Sequence, residues 1–523
     1  MKHLRHCRSH NKLVLAFILS VLWMSADAVV AQLSSGNEPA YTIHSTTRRV
    51  LLDVVVKDKK GNIITNVKEG DFTVLEDDVP QRITGYDPPN HHEMPDLDRI
   101  IVRSTADLAK IGSAPVTILV LDELNTTFED IAYSRQKMEK YLEAQPAVLS
   151  QPTILLVVDD THFRVLQDYT QDRNLLKDAL KKHIPNLPFK LNKSGANSAG
   201  AFERMAQSLN ALHQVTEASG GTRGRKSIIW VGKGFPSVNL LTLDNDSTLL
   251  MQNAIKRLTK ELLDCRVTLY TIDPASTIVG QGMVSTTDDL ADFESRSDGE
   301  PFADEIKFST LAPATGGQAF FARNDIDNEL KDAVQQGANY YSLTYAPTNS
   351  LEQDAKYRHI RIKMSNPDLI AVTRDGYYDS DDTNKALESV TNKAKDIRHD
   401  LEAEMGNAAL GGLAYNGLTV GLEKGEGDIL HLMVVAGGLI WKPTSDQHMR
   451  AEITVLNVAF SSKGKVLSHT SDELFATVKG IIQNPDQNAV FNIHVPQPTG
   501  TARVRVVVRD ALSGKIGTAE MLF

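Results

Sequence analysis

The sequence predicts an α/β plus β protein: a doubly wound, mainly parallel sheet flanked by N- and C-terminal β-sandwich domains. Three observations carry this. Between about 114 and 345, apolar strand runs alternate with helical patterns, the order expected of a sheet with helices on both faces. Runs such as "PVTILVLD" and "PTILLVVDD" carry a continuous apolar stretch up to their closing acids, as strands covered on both sides do. On either side, short β-rich runs are broken by turn residues, the spacing of sandwiches.

The 523 residues allow about three or four domains. Residues 1–31 read as a signal peptide. "MKHLRHCRSHNK" is basic, "LVLAFILSVLWM" is apolar but short for a membrane span, and "SADAVVAQ" offers small-residue cleavage patterns near Ala28 or Ala31. The expected location is therefore secreted, periplasmic or at the cell surface, with no membrane span once the leader is removed. Only Cys265 remains after such cleavage, so an intrachain disulfide is excluded there.

Residues 40–88 read as the N-terminal β-sandwich, with turns at "DKKGN" and "EDDVPQ". Residues 89–113, starting with "PPNHHEMPDLD", read as a linker. In 114–345, strands are expected at "PVTILVLD", "PTILLVVDD", "KSIIWVGKGF", "RVTLYTIDP" and "QAFFA". Helices are expected at "NTTFEDIAYSRQKMEKYLEAQ", "DRNLLKDALKKHIPNL", "AGAFERMAQSLNALHQVTEAS" and "STLLMQNAIKRLTKELLDC". The polar stretch 276–304 reads as a surface insertion. Residues 346–380 read as a β extension of the sheet domain or of the first sandwich. Residues 381–411 read as a helical linker and 412–523 as a second sandwich, with hairpins at "SSKGK" and "ALSGK".

Net charge is −10, and beyond the leader no basic block stands out. This excludes nucleic acid as an expected partner. Asp122 ends the first buried strand, where open α/β sheets bind ligands. Asp122, Asn125 and Thr126 are the candidate metal ligands, since oxygen donors suit Mg or Ca. The competing reading is a helix cap: Thr126 to Glu129 fits a capping box, which makes Asp122 and Asn125 turn residues.

The runs "VTILVLDELNT", "SIIWVGKGFPS", "CRVTLYTIDP" and "ATGGQAFFA" resemble successive strands of a von Willebrand factor type A domain. The flanks "LLDVVVKDKKGNIITNVKEGDFTVLEDDVPQRI", "YYSLTYAPTN" and "TRDGYY" resemble the bacterial VWFA-related family of the acidobacterial type, over roughly 45–380. The resemblance implies a Rossmann-like sheet whose top can carry a metal-ion-dependent adhesion site. That site normally reads Asp-x-Ser-x-Ser. Here Asp122 and Thr126 match in type, but Leu124 replaces a hydroxyl. For the second-loop Thr only Ser194 or Ser198 is at hand, and Lys233 stands where an Asp is expected before Gly234. The site is therefore expected to be degenerate, with Lys233 pairing with Asp122 and no resident cofactor.

Other motifs fail on chemistry. "GGTRGRKS", Gly220 to Ser227, has Arg225 where a phosphate loop needs Gly and precedes a strand. His91, His92 and Glu93 lack zinc-site spacing and read as solvated linker. Asp159, Asp160 and His162 read as polar loop residues near a helix start, or as an acid–base group. No hydrolase elbow or zinc-protease motif is found. The expected function is a non-enzymatic protein-binding or adhesion-type module. The alternative is an exported hydrolase using acids at the carboxyl edge of the sheet.

Overall fold

The computed structural model describes residues 49–95, 101–159, 163–185, 198–274, 301–321, 325–348, 356–379, 404–444, 448–479 and 484–523. The leader reading, Asp160, His162, Ser194 and most of the 276–304 and 381–411 readings lie outside these residues. Among the described residues no helix is long and apolar enough to cross a membrane.

The chain is mixed α/β, with a six-stranded mixed sheet at its centre. Across the sheet the strands run Ala319–Phe320, Val267–Ile272, Lys226–Val231, Val116–Asp122, Val148–Val158 and Phe163–Asp172. All neighbours pair in parallel except the last two. The Phe163–Asp172 strand is a departure from the sequence reading, which left it unassigned and put a helix start near Asp159. Its residues are mostly half-buried, with no clean alternation, so periodicity did not mark it. Phe163–Asp172 pairs antiparallel with Val148–Val158, and the helix expected at "DRNLLKDALKKHIPNL" begins at Arg173.

Among the described residues, six helices belong to this part: α1 Phe128–Ala144, α2 Arg173–Lys182, α3 Ser198–Ala218, α4 Asn245–Asp264, α5 Phe308–Ala314 and α6 Ile326–Ala338. Alternate residues of the first strand serve two cores. Ile118 and Val120 join α3, α4 and α5 residues such as Leu212, Ile255 and Leu311. Leu119 and Leu121 join α1, α2 and α6 residues such as Met138, Leu180 and Leu330. This is why the strand is buried at every position and apolar from Ile118 to Leu121: each face meets a helix layer. Burying each such side chain contributes about 1.5–3 kcal/mol.

The flanking strands are shared across the chain. One four-stranded sheet orders Leu369–Val372, Val50–Asp58, Tyr341–Tyr345 and Ile83–Asp87; a second orders Gly376–Asp379, Lys356–Met364, Phe72–Glu76 and Val79–Gln81. Both feed one core that includes Leu52, Val74, Leu343 and Tyr377. So the strands of 356–379 complete the N-terminal β structure, and Tyr341–Tyr345 belongs with it instead of with the central sheet. The C-terminal strands form a three-stranded and a five-stranded sheet over a common core with Leu432, Val455 and Val506.

Described residues of two stretches read as linker or insertion are packed. In 89–113, Val102, Leu108 and Ile111 enter the core of the central sheet, and His92 is buried, stacked on Tyr340 at 4.3 Å. Of the polar 276–304 stretch, Phe302 at its end is 1% exposed. Both stretches place isolated apolar residues among polar ones, a pattern that no helical or strand period detects.

Candidate functional site at the carboxyl edge of the sheet

Register puts Asp122 beside Val158, and Leu121 beside Val231. Asp122, Asp159 and the loop from Gly232 therefore meet at one edge of the sheet. Asp122 is 0% exposed. Its Oδ1 accepts from the backbone N–H of Leu124 at 2.9 Å and of Asn125 at 3.0 Å. Its Oδ2 accepts from the Trp230 indole at 3.1 Å and the Gly234 N–H at 2.9 Å. Burial pushes this carboxyl above its ordinary range, against the opposing pull of those four donors.

Glycine makes this closeness feasible. At Gly232 (φ +148) a Cβ would lie 2.3 Å from Asp122 Cβ and 2.6 Å from Thr126 Oγ1; at Gly234 (φ +64) it would strike the Phe308 ring. The "GKG" loop thus lies directly on Asp122 and Thr126. The Lys233 N–H donates to Thr126 Oγ1 at 3.1 Å. The Lys233 ammonium is 3.3 Å from Asp130 Oδ2, so it pairs with the first turn of α1 and not with Asp122 as the sequence suggested. The helix cap is also displaced by one residue. Thr127, not Thr126, is the N-cap of α1, with Asp130 as its partner.

Asn125 donates through Nδ2 to Ser208 of α3 at 3.0 Å. Its Oδ1 is buried without a partner among the described residues. Ser198 opens α3; its side chain is outside the described set. A hard cation needs oxygen lone pairs converging on it. Here both oxygens of Asp122 and the hydroxyl of Thr126 face N–H donors, and Leu124 supplies no oxygen from its side chain. This donor set does not fit a resident divalent ion.

A second group lies beside the first, and sequence reading missed most of it. Glu123 is 0% exposed. Its Oε1 is 2.6 Å from His183 Nε2, and its Oε2 is 3.5 Å from Arg164 Nη2. Arg164 Nε reaches Asp159 Oδ2 at 3.0 Å. Arg164 thus bridges two buried acids, which offsets the cost of burying them. Glu123 stands next to Asp122 in the sequence, but its partners are 41 and 60 residues away, so nothing local announces them. A close Glu–His pair can orient a base, but this one faces inward.

The dismissed phosphate-loop segment has a structural use. Lys226 is buried and donates to the carbonyls of Thr222, Gly224 and Cys265, and burial pulls its ammonium down to about 8. Arg225 donates to Thr268 Oγ1 at 3.0 Å.

No family model matches the chain, and no curated protein matches it. Solved structures do align with it. Superoxide reductase from Giardia intestinalis is 13% identical over 20% of this chain and 95% of that one, with a TM-score of 0.13. The SpRpn10 VWA domain is 15% identical over 30% of this chain and 74% of its own, with a TM-score of 0.17. Human COPII-coat protein Sec24c is 8% identical over 79% of this chain and 44% of its own, with a TM-score of 0.20. A VWA domain is thus among the weak structural neighbours. Scores and identities this low carry no argument about family, ligand or activity.

Proposed function

We propose that this chain is an exported, von Willebrand A-like interaction protein of the VWFA-related type, whose carboxyl sheet edge binds a protein partner without a metal. Its flanks are two β-sandwiches, and its central sheet is doubly wound. The observation that carries the reading is the inward commitment of the edge acids. Asp122 is saturated by four N–H donors, and Glu123 and Asp159 are drawn together by Arg164. Groups held this way shape a surface; they do not exchange protons with a substrate. Strand order supports the central domain. Numbered along the chain, the six strands lie 6-5-4-1-2-3, the doubly wound order.

The test is site-directed photo-crosslinking of the exported protein in its native envelope fraction. A crosslinker at position 233 should give a discrete protein adduct, and one at position 515 should not. An adduct pattern unchanged by chelator supports metal-independent binding. Loss of the adduct on chelation, or equal adducts from both positions, would count against the edge as the binding face. The second reading, an exported hydrolase, rests on the Glu123–His183 pair alone.

A further inference from the structure

We propose that His213, Glu217 and Glu404 form a binding site for a divalent transition ion of the zinc class, which ties α3 to the segment leading into the C-terminal sheets. The three ligand atoms lie within 4.8 Å of one another. His213 and Glu217 are four residues apart on α3, so they share one face of that helix. Glu404 lies in the helical residues 404–410. The site is separate from the sheet edge: Ser208, the α3 residue that meets Asn125, is about 7–13 Å away along the helix axis at 1.5 Å per residue.

The orientation of His213 is the second observation. Its Nδ1 is 2.7 Å from Glu261 Oε2 on α4. This fixes the ring and turns Nε2 toward Glu217, 3.8 Å away. A carboxylate on the far nitrogen is the arrangement that orients a ligating histidine and raises its basicity. Glu404 is likewise held from behind, by Arg509 Nε at 3.2 Å.

The two remaining carboxyls face each other. A carboxylate oxygen of each lies within 4.8 Å of the other, a separation at which a cation between them relieves the repulsion of like charges. The side chains are partly open, at 30% for His213, 17% for Glu217 and 26% for Glu404, so an ion and its water can reach them. One imidazole with two carboxylates suits zinc, with a water completing four-coordination. Calcium and magnesium prefer oxygen-only sets.

The bound ion would join two parts of the fold. Leu212 and Val215 of α3 lie in the core of the central sheet, and Met405 and Ala408 of the helical residues 404–410 pack into that same core beside Val507 and Ile516 of the C-terminal strands.

The experiment is calorimetric titration of the chelator-treated full chain with zinc chloride, and separately with calcium chloride. One zinc per chain at micromolar affinity or better, with calcium much weaker, is the expected result. His213→Ala and Glu404→Gln should each weaken the binding by at least about tenfold, and Glu261→Gln, behind the histidine, by about 10–100-fold. Circular dichroism of each variant establishes that it is folded. Zinc should also raise the thermal midpoint of the parent and not that of His213→Ala. No binding to the parent, or a zinc equivalent that survives both ligand substitutions in folded protein, would overturn the site. Survival would place the ion elsewhere, for example on the histidines of the leader.

Discussion

The indole N–H of Trp230 donates to Asp122 Oδ2 at 3.1 Å, with both side chains fully buried. The strand Lys226–Val231 thereby fastens its neighbour's carboxyl end from within the sheet. Asn at position 122 would keep the shape but lose half the acceptors, because its amide nitrogen would face N–H donors. Asp122→Asn should therefore cost about 1–3 kcal/mol for each donor stranded, read as a lowered denaturant midpoint. Titration of the parent with magnesium, calcium and manganese should show no micromolar binding that depends on Asp122. Binding that vanishes in folded Asp122→Ala would mean that the carboxylate serves a cation after all.

The glycine at 232 is held to its identity by contact and by backbone conformation together. Gly232→Ala places a methyl group against Asp122 and strains φ, and should cost about 2–5 kcal/mol. Gly61, at φ +86 with nothing within 4 Å of its would-be Cβ, isolates the strain alone. Gly61→Ala should cost about 1–2 kcal/mol. Equal losses from the two substitutions, measured by urea unfolding, would show that crowding at Asp122 contributes nothing.

How much of this was legible depended on whether a feature is local. The strand Val116–Asp122 is buried at every position and apolar from Ile118 to Leu121 because both of its faces are covered, and its acid stands at the carboxyl end. The cap missed by one residue because Thr126 and Thr127 are chemically equivalent; the fold assigns Thr126 to the Lys233 N–H. The Lys233 partner was misjudged for a similar reason. Opposite charge nominated Asp122, but its oxygens were already filled by N–H groups. The strand Phe163–Asp172, the Glu123–His183 pair and the return of the strands of 341–379 to the N-terminal sheets all depend on pairings distant in the chain. No spacing rule expresses those.

A pH dependence follows from Asp53, which joins the N-terminal strands to the central domain. Arg266 Nη2 is 2.5 Å from Asp53 Oδ1, and both side chains are largely buried. Burial raises the Asp53 carboxyl, but Arg266, Arg225 and Arg374 outweigh it and hold the carboxyl below its ordinary value of 3.8. A depressed carboxyl contributes stability that is present above the unfolded value and lost as pH falls through the folded one. Asp53→Asn, which leaves Arg266 without its charge partner, should cost about 3–5 kcal/mol near neutrality. The gap between parent and variant should narrow as pH drops below about 4. A gap that stays constant from neutrality down to pH 3 would remove the ion pair as its cause.

The edge itself separates binding from catalysis. An acid–base enzyme must expose its proton-transferring atoms to substrate, within about 3 Å of the reacting group. The Glu123 side chain is 0% exposed and that of His183 3%, and their short contact is directed at each other. Glu123→Gln removes a charged partner from His183 and Arg164 and should lower stability by about 1.5–3 kcal/mol. Partner capture by the folded fraction should stay unchanged. Replacing Asp159, Asp160 and His162 together by Asn, Asn and Gln should likewise leave the biological activity of folded protein largely intact, since a binding face tolerates loss of acids that touch no substrate. Both variants are measured for crosslinking from position 233 and for hydrolysis of a broad ester and peptide panel. A turnover rate in the parent that falls by orders of magnitude in either folded variant, with crosslinking preserved, would make the carboxyl edge an active site and the interaction reading wrong.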